Sequence, residues 1–113
     1  MTLVVAPILP GFSLGAMGTP TYFAESLLST VIAPAGSGKR ATLVTAGEFA
    51  DERGGQYYWM EFIVEAASFR RHNVSCVAAS RNLLYTVNAQ CPVDRWDDDG
   101  ARLAEAALSM RLE

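Results

Sequence analysis

Residues 56–67 read QYYWMEFIVEAA, and they alternate. Tyr58, Met60, Phe62, Val64 and Ala66 fall on one side of an extended chain; Tyr57, Trp59, Glu61, Ile63 and Glu65 fall on the other. A period of two over this length, carried by aromatic and β-branched residues, predicts a long strand. The first side is wholly apolar and belongs on a core. The second mixes large apolar groups with two carboxylates, which predicts a face half-covered by a helix or a partner. Arg53, Gly54 and Gly55 supply the turn that enters the strand. Its expected place is the middle of an antiparallel sheet.

The flanking sequence supplies the rest of that sheet. Residues 40–49 alternate Ala41, Leu43, Thr45 and Gly47 against Thr42, Val44, Ala46 and Glu48, a strand weakened at Gly47. After a short polar interval, residues 72–79 put Val74, Cys76 and Ala78 on one face and Asn73, Ser75, Val77 and Ala79 on the other. A turn at Ser80, Arg81 and Asn82 leads into residues 83–90, with Leu83, Tyr85, Val87 and Ala89 as the apolar face. Residues 2–8 make a first short strand, and the glycines and prolines of residues 9–18 make a loop. Thr19 and Pro20 then form a helix start, a capping hydroxyl followed by a proline whose missing N–H costs nothing at the first helical position. That helix runs over residues 20–32 with Phe23, Leu27, Leu28 and Val31 as its buried stripe. The last helix covers residues 97–112, opened by Asp97, Asp98 and Asp99, closed near Arg111, and buried through Leu103, Ala106, Ala107 and Met110. The order β-α-β-β-β-β-α makes the class α+β, an antiparallel sheet flanked by helices in one domain.

The chain of 113 residues is 50% hydrophobic and 19% charged, with 9 basic and 12 acidic residues and a formal net charge of −3. One lysine, Lys39, stands among the basic residues. This balance gives no phosphate-binding surface and argues against nucleic acid as a partner. No apolar run has the length of a membrane span, and no targeting peptide is visible, so Met1 either opens a mature chain or is not the biological start. With a turn at Arg81-Asn82, Cys76 faces a residue near Thr86, which sets Cys91 too far away for a disulfide.

No motif assembles an active site or calls for a cofactor. Gly36-Ser37-Gly38-Lys39 lacks the first glycine of a phosphate loop at Ala33 and its hydroxyl at Arg40, and it follows a helix instead of opening one. Asp97-Asp98-Asp99 are explained by helix-start electrostatics, which leaves at most a weak surface cation site. The single histidine, His72, has Cys76, Asp94 or Glu61 as possible partners, but no nucleophile spacing is recognisable. Trp96 is placed to anchor the last helix on the sheet.

The ordered set of motifs resembles the PsbP family of thylakoid lumenal proteins. Gln56-Tyr57-Tyr58 at a strand entry, Arg71-His72, Leu84-Tyr85, Asn88-Ala89-Gln90 and Asp94-Arg95-Trp96 before a terminal helix are similar to that family's pattern. So are Leu3, Val5 and Pro7 in the first strand, and Gly18, Pro20 and Phe23 at the first helix. The resemblance implies an α/β/α sandwich, truncated here at its N-terminal strands. It also implies a non-catalytic extrinsic subunit of photosystem II or photosystem I, peripheral on the lumenal face. The best-known member helps retain calcium and chloride; with a single lysine, this chain departs from the lysine-rich docking regions of that type, while a docking role stands. The alternatives are a free lumenal assembly factor for a photosystem or an NADH dehydrogenase-like complex, or a Ran-binding-type module of the same outline. The residues expected to meet a partner are Tyr57, Trp59, Ile63, Arg71, His72, Arg95 and Trp96. The open edge of the first strand predicts a chain that is not an independent monomer.

Overall fold

The computed structural model describes residues 2–7, 18–80 and 83–111. Ile8, the loop over 9–17, the Arg81-Asn82 turn and Leu112 lie outside the described residues. Strand β1 is Thr2–Pro7; helix α1, Pro20–Leu27, runs on into a π-helical turn, Leu28–Ile32. Strands β2 (Arg40–Ala50), β3 (Gln56–Ala66), β4 (Phe69–Ser80) and β5 (Leu83–Pro92) follow. A 3-10 turn, Val93–Arg95, leads into α2, Trp96–Leu108. The five strands form one sheet in the order β1-β5-β4-β3-β2, every pair antiparallel. The centre is therefore β4, with β3 one strand off it, because β1 joins the sheet beyond β5.

The alternation of β3 divides the molecule into two layers. Tyr58, Met60, Phe62 and Val64 are buried with Ala24 and Leu28 in a core under α1. Tyr57 points to the opposite side, with Cys76 and Ala78, where the end of α2 packs. Val74, Ala89 and Ala107 make the rest of that second core. The first helix begins as its residues dictate. The Thr19 hydroxyl accepts from the Tyr22 N–H at 3.1 Å, and Pro20 stands at the first helical position. The Tyr58 hydroxyl donates to the Gly18 carbonyl at 2.6 Å, and Phe23 meets the Tyr58 ring edge-on at 5.9 Å. Gly18 adopts φ 93°, the left-handed region that favours glycine.

Three expected patterns are corrected. Strand β2 carries an irregularity between Leu43 and Thr45. One extra residue there shifts the alternation, so Ala41, Leu43 and Ala46 reach the core while Thr45 is exposed. In the first helix Val31 is 67% exposed. The Ala33 N–H bonds to the Leu28 carbonyl at 2.8 Å, a wider turn that carries Ile32 into Val31's expected place against the core. In α2 the packed stripe is Gly100, Leu103, Ala104, Ala107 and Leu108, with Ala106 half-buried beside it, while Met110, just beyond the helix end at Leu108, is packed as expected, against the cluster that holds Tyr57.

The strand between Ala66 and Phe69 turns in two residues, so β4 begins earlier than its apolar alternation predicts. Cys76 lies opposite Val87, one position from the expected register, and Cys91 opposite His72. Four positions separate His72 from Cys76, about 13 Å of strand, beyond the reach of a disulfide. Both thiols are free and buried, and burial pushes that of Cys76 up to about 11.

At the sheet edge Leu3, Val4 and Val5 are 61%, 54% and 47% exposed. Among the described residues no strand lies beyond β1, and consecutive apolar residues on such an edge invite pairing with another chain. Residues 1–113 expressed alone should therefore self-associate in light scattering, and Val4→Lys should restore a monomer. A wild-type monomer over the working concentration range would refute this.

Candidate docking face

The start of helix α2 is fixed to the sheet by one ring. Trp96 stacks on the imidazole of His72, centroids 3.5 Å apart and planes 4° from parallel. On the helix side the indole lies over Gly100, where a Cβ would come within 2.6 Å of it. A glycine one turn after the tryptophan is thus a condition of the stack. The Nε2 of His72 is 2.8 Å from Oε2 of Glu61. Glu61 lies diagonally across from His72, which pairs with Ile63. These contacts form a chain from β3 to α2: carboxylate, imidazole, indole, glycine. Around it Asp99 pairs with Arg95 at 3.4 Å and Arg102 at 3.0 Å on the exposed helix surface, contacts of small energetic weight.

The far end of α2 is held by a second cluster. Phe49 and Tyr57 stack at 4.9 Å, with the Arg111 guanidinium 4.9 Å from the Phe49 ring centre and 5.6 Å from that of Tyr57. Arg111 also donates to the carbonyls of Leu108 at 2.9 Å and Met110 at 2.6 Å, closing the helix end. The Tyr57 hydroxyl donates to Asp51 at 2.8 Å. The other Asp51 oxygen accepts from the Arg53 and Gly55 N–H groups at 2.9 and 2.7 Å. These bonds, that of Tyr57 first and that of Gly55 next, hold the Asp51 carboxyl below its ordinary value. The turn between β2 and β3 is thereby tied to the end of α2.

Because α2 packs on β4 and β5, the same side of β2 and β3 stays partly open. Trp59 and Ile63 are half-buried there, with Glu61 and Glu65 between and beyond them. Trp59 pairs with Gly47, and its ring occupies the space above that glycine, where a Cβ would lie 2.8 Å from it. The weak point predicted in β2 is the seat of the indole. Glu65 meets Arg70 at 3.5 Å, so the two carboxylates of β3 serve different partners and do not form a pair.

The seven residues expected to meet a partner do not share one surface. Trp59 and Ile63 form the open strip. Tyr57 is buried below the end of α2, His72 is buried under Trp96, and Arg95 lies exposed at the helix start. Arg71 stands on the opposite side of the sheet, with Asn73 and Phe62. The residues sequence reasoning left out are Phe49, Asp51 and Gly100; the legible signal was a glycine four positions after a tryptophan. Gly36-Ser37-Gly38-Lys39 is a turn, with the Lys39 N–H on the Ser37 hydroxyl at 3.2 Å and a strand after it. No helix among the described residues is long and apolar enough to cross a membrane.

The family model described as PsbP matches residues 1–112. PsbP domain-containing protein 7, chloroplastic, of Arabidopsis thaliana is 38% identical over 117 residues, a match covering 99% of this chain and 41% of that protein. CyanoP of Thermosynechococcus vestitus is 32% identical over 102 residues, covering 85% of this chain and 55% of that protein. The chain thus spans about half the length, or less, of these relatives. The solution structure of CyanoP from Synechocystis sp. PCC 6803 shares the fold with a TM-score of 0.84 at 24% identity, over 99% of this chain and 66% of that one.

Two outcomes follow from the clusters. Gly100→Ala should destabilise by about 1–3 kcal/mol through the clash with Trp96, although alanine is the better helix former by about 1 kcal/mol; thermal unfolding with tryptophan fluorescence reads it, and a stabilised variant would contradict the stack. Asp51, depressed in the folded state, contributes stability above its unfolded value near 3.8. That contribution is lost as pH falls below this value towards the folded one. Acid titration of Asp51→Asn should show a flatter loss of stability over that window than the wild type.

Proposed function

The chain belongs to the PsbP family, and on that premise we propose that it is a non-catalytic extrinsic subunit of a photosynthetic membrane complex, docked from the thylakoid lumen. The observation that supports this reading most is the strip of Trp59 and Ile63 on β3. A partly exposed tryptophan seated on a glycine of a paired strand is a rigid anchor. Binding to such an anchor loses little side-chain freedom, which is why tryptophans dominate interface energetics. The carboxylates beside it are engaged, Glu61 by His72 and Glu65 by Arg70. The strip therefore offers apolar contact beside carboxylates that already have partners. The clusters around Trp96 and Tyr57 serve the site by fixing α2, which bounds the strip. The relatives named above are called chloroplastic or come from a cyanobacterium, which agrees with a photosynthetic setting.

The test is fractionation of thylakoid membranes. The wild-type protein should co-migrate with a photosystem. Trp59→Glu with Ile63→Glu should weaken that association by about 30-fold, the loss of one hot spot of about 2 kcal/mol, with the thermal transition kept. A double variant that co-migrates as the wild type does would remove the strip from the interface. A wild-type protein found only free in the lumen would remove the docked subunit in favour of an assembly factor.

A further inference from the structure

The side of the sheet under α1 is covered unevenly. Helix α1 and the π turn pack on β2 and β3, and a cleft of about 670 Å³ lies between the π turn and the strands towards β1. Leu27, Val31 and Ile32 form one wall; Val4, Phe62 and Leu84 face them. The volume is in the range of a site for one small molecule.

The floor departs from a core. On β4 and β5 the residues facing this side are Asn73, Ser75, Thr86, Asn88 and Gln90, where an apolar layer would bury Val or Leu. Ser75 donates to the Asn88 side-chain oxygen at 2.6 Å, and the Asn88 amide to that of Asn73 at 3.2 Å. Asn73 in turn donates to the Arg71 carbonyl at 3.2 Å. The floor is polar and uncharged, and its Ser75–Asn88–Asn73 chain is internally satisfied, so it neither demands nor repels an ionic group.

Charge is confined to one end. Among the described residues the lining holds two cations, Lys39 and Arg71, and no carboxylate, in a chain whose net charge is −3. Arg40 pairs with Glu65, and Arg71 with Val64, so Lys39, just before β2, and Arg71, on β4, flank one stretch of β3. Arg71 is steadied by the face of Phe69, 5.9 Å from the ring centre, and both cations are exposed. The neighbouring acid, Glu65, is taken by Arg70 at 3.5 Å.

We propose that this cleft binds a single-chain anionic amphiphile, a long-chain carboxylate, with its chain between the π turn and the strands and its head at Lys39 and Arg71. The apolar walls supply affinity in proportion to the chain buried. The cations supply orientation and select an acid over a neutral molecule of the same shape. The wide turn that moves Val31 out of the core places it at the mouth, which gives the π-helical segment a reason beyond packing. The site is separate from the Trp59 strip, which lies on the other side of the sheet.

The experiment titrates the purified full-length protein with cis-parinaric acid, a fluorescent long-chain carboxylate, and in parallel with its methyl ester. One saturable site is expected for the acid, with the ester bound more weakly. Lys39→Gln and Arg71→Gln should each weaken the acid by about five-fold, the value of one exposed charge contact, and leave the ester unmoved. Val31→Glu, at an exposed position, should abolish both while the thermal transition stays in place. Absence of saturable binding, equal affinity for acid and ester, or indifference to all three substitutions would overturn the proposal. So would sedimentation with phosphatidylglycerol vesicles without uptake of the free acid, which would mark a membrane contact instead.

Discussion

Two adjacent tyrosines set the architecture. Tyr57 and Tyr58 sit side by side on an extended strand, so they must point to opposite faces of the sheet. Each buries its ring in a different core and spends its hydroxyl on a different backbone feature. Tyr58 fixes the carbonyl before α1, and Tyr57 fixes the carboxylate that shapes the turn into its own strand. A one-residue slip of β3 would exchange the rings and lose both hydrogen bonds, as well as turn Met60 and Phe62 away from α1. The register of β3 and the positions of both helices are therefore one constraint.

That dependence explains what could be read from the residues. Alternation in β3, β4 and β5 is dictated by burial on two faces, and it persisted. The start of α1 is chemical, a hydroxyl and a proline, and it was found where the residues place it. The misses share a different cause. An irregularity at Val44 and a π turn at Leu28 each add a residue to a local period, and the period before them gives no warning, because both are accommodations to a neighbouring element. Gly47 read as a weakness because a propensity scale counts only the backbone, and Gly100 drew no reading at all; each is the space beneath an indole.

The motifs that identify the family are framework. Gly18, Pro20 and Phe23 set α1 against Tyr58; Tyr57, His72 and Trp96 set α2 against the sheet. Such residues say that the fold is kept, and a fold hosts more than one role. Function has to lie in what the framework leaves free. On one side the proposed docking strip uses Trp59 and Ile63; on the other the proposed ligand site is a cleft with cations at one end. Most of the residues expected to meet a partner were drawn from the motifs, and this is why the structure scatters them.

The two free regions differ in the physics they can use. The strip on β3 has its carboxylates held by His72 and Arg70, so no unengaged carboxylate of β3 stands beside Trp59 and Ile63 to steer an encounter. Its affinity has to come from burying Trp59 and Ile63, a short-range contribution that ionic strength barely changes. The cleft has the opposite character: Lys39 and Arg71 meet no carboxylate among the described residues of its lining and are exposed, so what they contribute weakens as salt rises. One small sheet thus carries a salt-insensitive face and a salt-sensitive one on its opposite sides, and the alternation that separates Tyr57 from Tyr58 keeps them apart.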